Sequence, residues 1–71
     1  MMTVSAVKTA LSGLRKTQID ALSDAAKVPV PTIYKIRSGE TVDPRASTLY
    51  ALSRVIESAD WARIAYQERA A

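Results

Sequence analysis

Residues Gln18–Gly39 read QIDALSDAAKVPVPTIYKIRSG, and the fold turns on how that stretch is parsed. Leu22, Ala25 and Ala26 stand at the i, i+3, i+4 spacing of a buried helix stripe, and Ile33 and Ile36 resume that spacing after Val28-Pro29. KVPVP separates the two stripes. Each proline lacks an N–H and drives the residue before it out of the αR region, which excludes one continuous helix through positions 29 and 31. Two helices of two to three turns, meeting at an angle, cannot bury their apolar faces alone. The flanking segments must close over them, which predicts an all-α bundle of four to five helices built round a helix-turn-helix.

Working outward, Val4, Val7, Leu11 and Leu14 predict a first amphipathic helix over about residues 4–13, capped by Ser5 or Thr3 and ended by Gly13. Thr17 is the expected N-cap of a second helix from about Gln18 to Lys27, with Asp20 favouring its N-terminal dipole. Pro31 suits the first turn of a third helix, which runs to about Ser38 and stops at Gly39. GETVDP is a loop, with Asp43 a candidate cap before Pro44. Leu49, Leu52, Val55 and Ile56 mark a fourth helix over about Arg45–Glu57. Trp61, Ile64 and Ala65 mark a fifth, from about Asp60 to Glu68 within a C-terminal segment of about 60–69.

At 71 residues the chain has room for one small domain, and such a domain buries only about 60% of its unfolded surface. With no cysteine and no histidine, neither disulfides nor Cys/His metal sites can supplement that core, and self-association is the remaining source of stability. Ten Lys/Arg against seven Asp/Glu give +3, a mild bias toward polyanionic partners. No apolar run approaches the ~18 residues of a membrane span, and the N-terminus lacks the basic-then-apolar order of a secretory signal. A cytoplasmic location is the expectation. No linker leads toward a ligand or cleavage domain, so a whole regulator rather than a fragment is expected.

The segment LSDAAKVPVPTIYKIRSGETVDPRASTLYAL resembles the helix-turn-helix of the phage repressor and Cro family, the XRE-type domain. Leu22, Val28, Thr32, Ile33, Ile36, Gly39, Pro44, Thr48 and Leu49 fall in register with that pattern without a gap, and the likeness covers about residues 5–57. It implies a lambda-repressor-like bundle whose third helix enters the major groove. It also implies a homodimeric regulator of phage or prokaryotic type, most simply a repressor, bound to an inverted-repeat operator. Three departures stand out. The family's turn glycine is Lys27, its helix-two glutamine aligns with Ile19 beside Gln18, and its recognition helix opens here as Pro29-Val30-Pro31, without hydrogen-bonding side chains.

On that resemblance Val30, Pro31, Tyr34, Lys35 and Ser38 are the outward residues of the third helix. Lys35 can donate to guanine O6 and N7, Tyr34 to a base acceptor or phosphate, and Val30, Pro31 and the Thr32 methyl can pack on thymine methyls. Thr17, Gln18 and the N-terminus of the second helix, whose free N–H groups favour anions, are phosphate candidates; Arg15 and Lys16 precede the same helix, and Arg37, Ser38, Thr41 and Arg45 are further candidates around the loop that follows the third. Bland readings stand beside these: Lys35 and Arg37 as solvated charge, and Tyr34 packed on the fourth helix. Trp61 either completes the core or anchors a dimer with Ile64 and Tyr66, in an apolar patch that Tyr50 also extends. Such pairing would set two recognition helices about 34 Å apart.

Nothing in the residue pattern suggests catalysis. No serine has a partner base at a recognisable spacing, Asp20 and Asp24 read as helix-surface acids, and no glycine-rich phosphate loop is present. A non-enzyme without metal, cofactor or small-molecule ligand is expected. The competing reading is a partner-binding or antitoxin-like module on the same scaffold, favoured by the apolar start of the third helix.

Overall fold

A computed structural model describes residues 1–66, the Tyr66 side chain excepted. In chain order it contains α1 (Val4–Ser12), α2 (Lys16–Ala26), α3 (Val30–Ser38), α4 (Ala46–Ile56) and α5 (Trp61–Tyr66), and the described residues include no strand. The all-α class is as the periodicity predicts. The part of the fifth helix expected beyond Tyr66 lies outside the described residues.

Local chemistry sets each boundary. Thr3, not Ser5, caps α1, its Oγ1 accepting from the Ala6 N–H at 3.0 Å. Helix α2 begins two residues before Gln18, and Thr17 is not its cap. Instead Gln18 folds back so that Oε1 accepts from the Arg15 N–H at 2.7 Å. This is the returning half of a capping box; an arginine side chain has no acceptor to supply the other half. Asp43 likewise does not cap α4, whose N-cap residue is Arg45.

The connection from α2 to α3 is three residues long. Lys27 takes the left-handed conformation (φ 60°, ψ 37°), a role usually given to glycine. Its N–H donates to the Ser23 carbonyl at 2.8 Å, and the Ser23 hydroxyl donates to the Val28 carbonyl at 2.5 Å. Val28 is buried beneath the turn. Pro29, extended at ψ 142°, then starts the next helix as the acceptor for the Ile33 N–H at 3.2 Å. The rod is broken where the prolines require. Helix α3 ends on Gly39 at φ 86°, and the Thr41 N–H donates to the Lys35 carbonyl at 3.0 Å. The Lys8 ammonium lies against Gly39, beside the electronegative end of α3, where a cation is favoured.

The core gathers Val7 and Leu11 of α1, Ile19, Leu22 and Ala26 of α2, Val28, Ile33 and Ile36 of α3, and Leu49 and Leu52 of α4. Helix α1 packs on α3 and α4, while α2 packs on α3, α4 and α5. Three features depart from the periodicity. Ala25 is exposed rather than part of the buried stripe, and Ile19 is fully buried. Ser53 of α4 is also buried, its Oγ accepting from the Met2 N–H at 3.1 Å and so tying the N-terminus to α4. The radius of gyration, 11.1 Å, matches the roughly 11 Å expected of a folded chain this long. No described helix is long and apolar enough to cross a membrane.

Candidate nucleic-acid interface

Helix α3 has one anchored side and one open side. Ile33 and Ile36 are fixed in the core, and opposite them Pro31, Lys35 and Ser38 are exposed at i, i+4, i+7, a continuous stripe. Lys35 is the cation at its centre. Ser38 is already engaged locally: its Oγ donates to the Lys35 carbonyl at 3.2 Å and accepts from the Glu40 N–H at 3.3 Å. That geometry trims the helix end and leaves a hydroxyl lone pair but no spare proton for a phosphate.

Other α3 residues expected to point outward are turned partly inward. Val30 and Tyr34 are half-buried and pack against the core, so neither is fully offered to a partner. Thr32 is also half-buried, its N–H bonded to the Pro29 carbonyl at 3.0 Å. Arg37 is not a free phosphate ligand. Its Nη1 donates to the Leu14 carbonyl at 3.2 Å, and its guanidinium stands 5.3 Å from the centroid of the Tyr34 ring. Arg37 thus fastens the last turn of α3 to the connection just before α2.

That fastening ties the last turn of α3 to the residues that lead into α2. There Lys16 and Thr17 are exposed. Lys16 faces Asp20 at 3.4 Å across one turn, an exposed pair of small energetic weight that leaves the ammonium accessible. Gln18, expected on phosphate, is instead nine-tenths buried. Besides capping α2 it donates through Nε2 to the Ala65 carbonyl of α5. Its amide therefore holds two elements together from within. Arg45 is exposed at the start of α4, but Glu40 and Asp43 are exposed in the same loop and dilute its positive field.

The residues expected at a dimer contact divide. Trp61 is half-buried and packs against the core of its own chain, while Ile64 is half-buried in a surface groove. The Tyr66 side chain lies outside the described residues. Tyr50, 54% exposed on α4 with the Arg54 guanidinium 5.9 Å from its ring centroid, is the large apolar side chain a described helix offers most openly. Gln18, Ile19 and Ser53 were not legible as structural residues. The only available signal for Gln18 was its place three residues after Arg15, which the capping-box spacing allows. Among the described residues no three carboxylates gather closely enough to hold a metal ion.

Compared with protein families, with characterised proteins and with solved structures, the chain finds no match in any of the three.

Proposed function

We propose that this chain is a sequence-specific DNA-binding regulator of the phage repressor and Cro type, most simply a repressor, and not an enzyme. Helix α3 lies in the major groove of operator DNA, and two copies read an inverted repeat. The observation that carries the reading is the exposed Pro31, Lys35, Ser38 stripe on a helix whose opposite face is locked in the core. Lys35 is the base reader, bonding guanine O6 and N7, and Pro31 with the edge of Val30 packs on thymine methyls. Lys16, Thr17 and Arg45 contact phosphates, where they set register without reading sequence. With so few polar readers per subunit, DNA shape and the second half-site supply much of the specificity. Because Trp61 is used inside the protomer, pairing falls to exposed apolar surface such as Tyr50.

The test is a gel shift on random duplex at two salt concentrations, followed by selection of sites from a random DNA pool. Roughly four to six phosphate contacts across a dimer predict a loss of affinity of about 10²–10³-fold between 50 and 200 mM salt. Selected sites should be inverted repeats with half-site centres about 10 base pairs apart. The second reading is a protein-interaction module, favoured by the short supply of hydrogen-bonding side chains on α3. Absence of any shift at low salt would support it over DNA binding.

A further inference from the structure

Away from α3, the C-terminal turns of α2 and α4 meet α5 around an open groove of about 650 Å³. Its floor is apolar and shallow, formed by Ala26, Ala51, Val55 and Ile64. Its rim is basic: Lys27, Arg54 and Arg63, with Asp60 the only acid among the described lining residues, already bonded to Arg63. Formal charge at the groove is therefore net positive. The partial negative ends of α2 and α4 reduce that charge without reversing it.

We propose that this groove receives an acidic amphipathic helix of a partner protein, its apolar stripe on the alanine floor and its carboxylates against the rim. Charge complementarity selects this occupant. A second copy of the chain would bring its own +3 to a basic rim, whereas an acidic helix would neutralise it. The groove is too open to enclose most of a small ligand's surface. Small floor residues let a helix backbone approach, and the α4 positions 51, 54 and 55 run along the groove at helix-packing spacing. Lys27, exposed on its left-handed turn, adds a cation to the rim. No α3 residue lines the groove, so this inference does not rest on α3 reading DNA.

The experiment displays a library of helical peptides, with a fixed leucine stripe and randomised flanks, and selects it against the full chain. Enriched peptides should carry Asp or Glu at the flanking positions. Their affinity should fall about threefold for Lys27→Gly and about tenfold for Lys27→Gly with Arg54→Gln, steeply with salt, and stay unchanged for Lys35→Ala. Both altered rim residues are exposed, and circular dichroism checks that the helices persist. Any of three results overturns the proposal. These are no enrichment or enrichment without acidic bias, affinity indifferent to the rim variants, or self-association that is lost in Lys27→Gly with Arg54→Gln, which would put a second copy on the groove. Loss of DNA binding by Lys35→Ala with peptide binding retained separates the two sites.

Discussion

Lys27→Gly should make this protein more stable while weakening its groove. The backbone at Lys27, φ 60° and ψ 37°, is close to the centre of the left-handed helical well. A residue with a Cβ is disfavoured there by roughly 1–2 kcal/mol relative to glycine. Glycine in turn gives the unfolded chain more freedom, which offsets about 0.5–1 kcal/mol of that gain. Because the Lys27 side chain is exposed, its removal forfeits no core packing. The net is a stabilisation of roughly 0.5–1 kcal/mol, which in a domain of this size raises Tm by about 2–8 °C. Removing a cation from a chain of charge +3 could also stabilise by lowering self-repulsion, so Lys27→Ala is the needed control. It makes the same charge change but keeps a Cβ in the left-handed well. Thermal and urea unfolding followed by circular dichroism should rank glycine above alanine, with alanine near the parent. If the two variants prove equally stable, backbone strain at Lys27 does not exist and the account of the turn is wrong.

Lys35→Ala should weaken specific DNA binding by about 1–3 kcal/mol and relax preference at one base pair; equal loss on every sequence would make Lys35 a phosphate contact instead. Gln18→Leu keeps the side chain's bulk but removes the bonds to the Arg15 N–H and the Ala65 carbonyl, and should destabilise by about 1–3 kcal/mol. Trp61 is the sole tryptophan, so its fluorescence should red-shift in that variant as α5 loosens, and an unshifted spectrum would show that Gln18 does not hold α5. Trp61→Ala should lower unfolding stability by about 2 kcal/mol, less than a fully buried aromatic because the ring is only half-covered. A change in sedimentation mass without a change in the stability of the dilute protein would return Trp61 to a dimer interface.

Much of the fold was legible because it rests on short-range constraints. The prolines at 29 and 31 had to end one helix and start another, Gly39 had to stop the next, and Val7, Leu11, Leu22, Ile33, Ile36, Leu49 and Leu52 had to share an interior. At residue 27 the sequence left open a left-handed lysine or an altered turn, and the structure has the first. Cap assignments were less so. Thr17 and Asp43 were reasonable caps by residue type, but a side chain three residues into α2 competed for the first and Arg45 took the N-cap position of α4 instead of the second.

The candidate interface was legible only in part, because exposure on a helix depends on what packs beside it. Pro31, Lys35 and Ser38 stay open since nothing in α1 or α2 reaches over them, while Val30 and Tyr34, a fraction of a turn away, lean onto the core. Arg37 and Gln18 carry polar groups that local rules assign to solvent. Distant carbonyls, Leu14 for one and Ala65 for the other, draw them inward. Helix breaks, helix class and the apolar stripes are properties of neighbours along the chain, set by sterics and periodicity within a turn or two. Which polar residues face outward, and the basic groove where α2, α4 and α5 meet, arise from residues tens of positions apart, whose encounter no local pattern encodes.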